Sequence, residues 1–166
     1  MFREMRRSRQ TLPQEEIREI LRRNTAGVLS LSGDDGYPYG VPLSYVLDGD
    51  RLLFHSAQTG HKLDAITRSS KASFCVIDQN EIAPEKYTTL FRSVIVFGRV
   101  RVLEDEAARR AALELLAARY SPDDPQGRLL EVEKGLARVC MIELSIEHAS
   151  GKEAIELVRR REEAAN

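Results

Sequence analysis

The chain has 166 residues, 42% hydrophobic and 31% charged, which suffices for the core of one domain. No apolar run approaches the roughly 18 residues a spanning helix needs, so a membrane-embedded class is excluded at this level. Lys plus Arg number 25 and Asp plus Glu 26, and a formal net charge of −1 offers no electrostatic case for nucleic acid.

The first nine residues are basic but no apolar stretch follows, which excludes a secretory signal and makes the cytoplasm the expected location. Arg3, Arg6, Arg7 and Arg9 are expected in a solvated, flexible arm over residues 1–10. Thr11-Leu12-Pro13-Gln14 resembles a capping box, and Ile17, Ile20 and Leu21 then follow helical spacing, predicting a helix over 13–23. Ala26 to Leu31 reads as a strand closed by the turn residues Ser32 to Gly36. Val41 to Leu47 resumes extended structure, and Asp48-Gly49-Asp50 returns it into Arg51 to Ala57, so an antiparallel meander of three strands is expected.

A short helix over 60–69 is seated by Leu63 and Ile66. Ala72 to Ile77 is apolar on both faces and is expected to be buried on both. Asp78 to Thr89 is polar, holds Pro84 and lacks a period, and is expected to be a loop. In Ser93 to Leu103, Val94, Val96, Val100 and Val102 share one face, while the other begins with Ile95 and Phe97 and ends with Arg99 and Arg101. Glu104 to Tyr120 reads as a helix with the stripe Ala108, Ala111, Ala112, Leu115, followed by a helical piece over 126–134. Cys140 to Glu147 is the last strand, and the tail from about residue 153 is expected to be a frayed helix with a weak Glu156–Arg160 pair. Six strands in this order, without βαβ alternation, predict a β-rich α+β fold built on a small antiparallel barrel.

Cys75 and Cys140 sit in apolar runs and read as reduced core residues; neither they nor His55, His61 and His148 have metal-binding spacing, so no metal site is predicted. The segment Phe54-His55-Ser56-Ala57-Gln58-Thr59-Gly60-His61-Lys62 carries the chemistry. A buried strand runs through a turn into a helix whose first turn holds Lys62 and the titratable His61, an arrangement suited to a phosphate beside a flat ligand. The same residues also suit an ordinary strand, turn and helix with an exposed lysine.

Gly27-Val28-Leu29-Ser30 followed by Asp35 to Val46, then Phe54 to Ala57 with Gly60 to Asp64, and later Phe91 to Gly98, resemble in order and spacing the FMN-binding split β-barrel superfamily that includes pyridoxamine phosphate oxidase, in its nitroimidazole reductase branch. The resemblance spans about residues 3–152. It implies a homodimer with two FMN molecules where the subunits meet, and a six-stranded split barrel in each. In that arrangement Lys62 would give a point charge to the FMN phosphate and His61 a second contact. Ser56 and the backbone of Phe54, His55, Ser56 and Ala57 would meet the polar edge of the ring. Pro42, Leu43 and Ser44 would line its other side, and Arg92 and Ser93 would come from the partner subunit. His55 and His61 are the candidates for proton transfer, but no indispensable catalytic side chain is expected, since the cofactor carries the chemistry.

The resemblance implies an oxidoreductase passing electrons from NAD(P)H to a small aromatic acceptor. The chain has no GxGxxG fingerprint, so the nicotinamide would visit only transiently. The alternatives are a non-catalytic flavin- or haem-binding module and an oxidase of the pyridoxamine phosphate type, whose extended basic substrate pattern this chain lacks.

Overall fold

A computed structural model describes residues 2–164. Seven antiparallel strands form one curled sheet: β1 (Ala26–Ser32), β2 (Pro38–Ser44), β3 (Val46–Asp48), β4 (Arg51–Ser56), β5 (Lys71–Ala83), β6 (Thr88–Val102) and β7 (Cys140–Glu153). Five α-helices accompany them among the described residues: α1 (Gln14–Arg23), α2 (His61–Arg68), α3 (Glu106–Tyr120), α4 (Pro125–Leu136) and α5 (Ile155–Ala164). The strand order is β2-β1-β5-β6-β7-β4-β3.

The two edge strands of that order, β2 and β3, are consecutive in the chain with only Tyr45 between them. The sheet must therefore curl until its edges meet at that residue. Six strands were expected; there are seven, because the run 41–47 breaks at Tyr45 into one part that pairs with β1 and another that pairs with β4. The break replaces the simple meander. Tyr45 is fully buried, its hydroxyl donates to Leu21 O at 2.8 Å, and its N–H donates to Thr25 O at 3.0 Å. A tyrosine whose polar groups are satisfied outside the ladder can leave the strand at little cost.

The barrel interior holds Leu29, Phe54, Phe74, Val76, Val94, Val96, Val100, Ile142 and Leu144, and α1 plugs one end with Ile17, Ile20 and Leu21. Burial alternates along β6 as its sequence requires, with Val94, Val96 and Val100 inside and Ile95, Phe97, Arg99 and Arg101 outside. β7 shifts register between Phe97 and Gly98, and at Gly98 an added Cβ would lie 2.0 Å from Ser145 O, so only glycine fits this bend.

Four expectations need correction. Residues 78–89 are mostly not a loop: β5 continues to Ala83 and pairs with β6 in a projecting hairpin, bulged between Ile77 and Gln79 and turned at Tyr87 (φ 49°). Ile82 and Tyr87 are exposed there, so with little core beneath it the hairpin has no apolar alternation to read. β5 is buried on one face only, with Ile77 exposed on the other. On α3 the buried stripe is Ala112 and Leu116, because alanines on every side leave periodicity unable to select the face. Thr11 makes no capping box; Pro13 is the N-cap of α1, and the Thr11 hydroxyl donates to Met5 Sδ.

The terminal segments pack on the barrel. Gln10 is buried, β7 runs on to Glu153, and α5 seats Leu157 and Val158, so the helix expected to fray is docked. Residues 165 and 166, the end of that tail, lie outside the described residues.

Candidate functional site

β3 pairs with β4 only at Arg51, Leu52 and Leu53, and β2 has left for the opposite sheet edge. No strand therefore covers Phe54, His55 and Ser56 on that side, nor the outer edge of β2 at Pro42, Leu43 and Ser44. The barrel is split there. Two rows of backbone N–H and C=O groups flank the opening without ladder partners, the feature that lets a sheet bind a flat polar edge. The six residues expected from the sequence to meet a ring system stand on these two edges.

Their side chains alternate. Phe54 is fully buried in the barrel core, tilted against Phe74 at 5.1 Å, so it can offer a ligand only its backbone. His55 points outward and is exposed, while Ser56 is 8% exposed and its hydroxyl finds no hydrogen-bond partner among the described residues. Ala57 lies just beyond the strand. A nearly buried, unpartnered hydroxyl beside an opening is a site with unused bonding capacity.

From Ala57 the chain turns through Gly60, whose φ of 125° suits glycine alone, and enters α2 at His61. Gly60 has no side chain to cap the helix, so the first-turn N–H groups retain bonding capacity. Lys62 forms no ion pair or hydrogen bond with any described residue. Burial pushes its amine below the ordinary lysine value, a shift that nearby Cys140 opposes without cancelling. Cys140 pairs with Ser56 across β4 and β7, which sets the lysine, thiol and hydroxyl in one neighbourhood. A half-buried cation without a counter-ion is an unsatisfied charge, and an anion at the helix start would satisfy it.

His61 has found partners already. Its ring stacks on Tyr39 at 4.1 Å, and Nε2 lies 3.5 Å from Asp34, which also pairs with Arg68 at 2.5 Å. Tyr39, Asp34 and Arg68 went unnoticed in the sequence because β1, β2 and α2 meet only in the folded chain.

Arg92 and Ser93 stand apart from this group. Arg92 is enclosed by carboxylates, Glu153 at 3.1 Å, Asp78 at 3.7 Å and Glu16 at 3.9 Å, and Glu153 is fully buried. Burial pushes the Asp78 carboxyl up, but hydrogen bonds from Arg23 and Asn24 and the charges of Arg23 and Arg92 bring it below the ordinary value. Ser93 sits on the outer face of β6 beside Ile77. That face is apolar: Val28, Cys75 and Ile95 are cross-strand neighbours, Ile95 is 39% and Phe97 37% exposed, and Phe2 packs on Phe97 and His148. Cys75 is thus half-exposed and not a core residue, whereas Cys140 is buried.

Helix α3 flanks the outer mouth of the split. Between it and the sheet lies an open cavity of about 220 Å³ lined by Ser44, His55, Leu113, Leu116, Ala117 and Tyr120. Among the described residues no group of three or more His, Cys, Asp or Glu could hold a metal ion, and no helix is long and apolar enough to cross a membrane.

A curled antiparallel barrel, split along one seam and carrying an unpaired cation at the helix that follows the seam, defines a split-barrel protein with an anion seat. The chain belongs to the pyridoxamine 5'-phosphate oxidase family, whose model matches residues 13–153. No protein of curated function matches it in sequence. Among solved structures it is similar to a candidate 5-nitroimidazole antibiotic resistance protein from Bacteroides thetaiotaomicron, at 20% identity and TM-score 0.73 over 86% of each chain. It is also similar to the FAD and heme binding protein of Mycobacterium smegmatis, at 24% identity and TM-score 0.72 over 88% of this chain and 73% of that one. An FAD-binding protein from Mesorhizobium loti matches at 26% identity and TM-score 0.63, over 87% and 97%.

Proposed function

We propose that the protein is a homodimeric, cytoplasmic flavin oxidoreductase that binds FMN at the split and passes electrons from NAD(P)H to a small aromatic acceptor. The observation that carries this reading is Lys62, a half-buried cation without a counter-ion, placed where the helix start and the open strand edges converge. The residues fit the group. Lys62 and the N–H groups opening α2 would hold the phosphate, and the Ser56 hydroxyl and free edge of Phe54 to Ser56 would meet the polar edge of the ring. Pro42, Leu43 and Ser44 would line its opposite side.

A bound flavin supplies two-electron redox chemistry that no side chain of this protein has. The chain orients, shields and neutralises. His61 Nε2, facing Asp34, is placed to hold a proton near the anion seat, and His55 stands at the outer mouth.

The homodimer is supported by the apolar outer face, since Val28, Ile77, Ile95 and Phe97 form a patch that water would otherwise wet. Ser93 stands on that face, where a second copy would bring it to the partner's site. Ile95→Asp would place a charge in the middle of the patch, and analytical ultracentrifugation should then find monomer where the parent is dimer. A dimer of unchanged strength would move the interface elsewhere.

FAD in place of FMN is a second reading, favoured by the neighbour from Mesorhizobium loti that is titled an FAD-binding protein. Visible spectra after addition of FMN or FAD, followed by anaerobic NADH or NADPH, test both cofactor and chemistry. Binding of FMN with bleaching is expected. Binding without bleaching removes the reductase, and failure to bind either flavin removes the whole reading.

A further inference from the structure

We propose that the cavity between α3 and the split is the acceptor's seat, and that it selects an uncharged single aromatic ring bearing one hydrogen-bonding substituent. This rests on the flavin reading above and adds to it the substrate class and the residues that choose it.

The lining is nearly all apolar, from Leu113, Leu116, Ala117 and the ring of Tyr120, while Ser44 and His55 supply its polar groups. Neither Ser44 nor His55 has a hydrogen-bond or ion-pair partner among the described residues. An apolar cavity of roughly 150 Å³ holds a benzene ring, so about 220 Å³ admits one substituted ring. The three fused rings of a flavin exceed that space, which leaves the cofactor to the seam and the cavity to the acceptor. No lysine or arginine lines the cavity, so a phosphate ester would bury its charge there without a counter-ion, which is costly. The imidazole of His55 at the rim can donate to a nitro, carbonyl or quinone oxygen, and the Ser44 hydroxyl can do the same.

The wall of the cavity is held in place by the barrel. The Tyr120 hydroxyl donates to Thr25 O and accepts from Tyr45 N–H at 3.1 Å, bonding the end of α3 to the residue where β2 and β3 part. Arg119 adds bonds to Arg22 O at 3.0 Å and Arg23 O at 2.9 Å. A pinned wall gives a cavity of defined depth, which is what discrimination by size needs.

Ala117 is half-buried and lines the cavity without belonging to the core, so Ala117→Leu fills the space with little risk to folding. The probes are 4-nitrobenzyl alcohol and its charged counterpart 4-nitrophenyl phosphate, titrated by calorimetry into the full-length protein with and without FMN. The parent should bind the alcohol at least about tenfold more tightly than the phosphate, Ala117→Leu should weaken the alcohol about tenfold, and FMN affinity should stay within about twofold. Leu113→Ala, which enlarges the cavity, should shift preference toward a naphthalene analogue. Equal binding of the alcohol to parent and Ala117→Leu overturns the proposal while leaving the flavin reading intact, and loss of FMN with the alcohol would show the cavity to be the flavin's own seat. If the parent binds no flavin, the flavin reading alone fails, and alcohol binding that Ala117→Leu abolishes still supports the cavity.

Discussion

Lys62→Met should weaken FMN binding by about 10- to 100-fold while leaving the free protein as stable as the parent or more so. The first half follows from charge-assisted hydrogen bonding to a phosphate, worth about 1.5–3 kcal/mol. The second follows from burial: removing a cation whose pKa is lowered by desolvation removes a cost. An ordinary structural lysine would behave in the opposite way. pH provides a further check, because in the window between the lowered folded value and the unfolded value of 10.5 the unfolded chain binds more protons. Stability in the absence of flavin therefore rises with pH through that window. FMN affinity should fall as pH rises through the folded value, and Lys62→Met should abolish that dependence. Fluorescence titration of FMN reads the affinity and a thermal melt the stability. An unchanged dissociation constant would return Lys62 to the status of a surface residue.

Glu153→Ala should cost about 3–5 kcal/mol, since it leaves Arg92 and Arg161 facing each other over a fully buried site. At about 2–4 °C per kcal/mol for a chain of this size, the melting temperature should drop by roughly 10 °C. Glu153 anchors several elements at once, receiving Arg92 from β6 and Arg161 from α5. Arg92 then reaches Asp78 at the β5 bulge and Glu16 on α1. Glu153→Gln keeps the shape and loses the charge, so its smaller loss separates packing from electrostatics. A melt within 2 °C of the parent for Glu153→Ala, on the same scale, would mean that the two arginines find other partners. The same network bears on the site. Arg92 is committed to three carboxylates within its own chain, and a role toward a partner's ligand would have to compete with them.

The anion seat was legible before any coordinates, because strand, glycine turn and helix start lie within about ten consecutive residues and local chemistry decides them. The alternation of β6, the limits of α1 and α2, and the antiparallel class of the fold were legible for the same reason. Each follows from the period of a single segment lying on a core.

Tertiary structure alone decided the rest. The seam exists because one strand leaves the ladder at Tyr45, whose backbone and hydroxyl are satisfied by Thr25, Tyr120 and Leu21, residues up to 75 positions away. The alanine-rich α3 could have turned any side inward, and its orientation was set by Leu53, Leu103 and Met141 beneath it. The hairpin over 78–92 showed no period because little core lies under it to impose one. The sequence by itself determined which residues could form a charged helix start beside a buried strand. Only the folded barrel decided that the strand's edge stays open and that the lysine stays unpaired, since both depend on which distant segments fail to arrive.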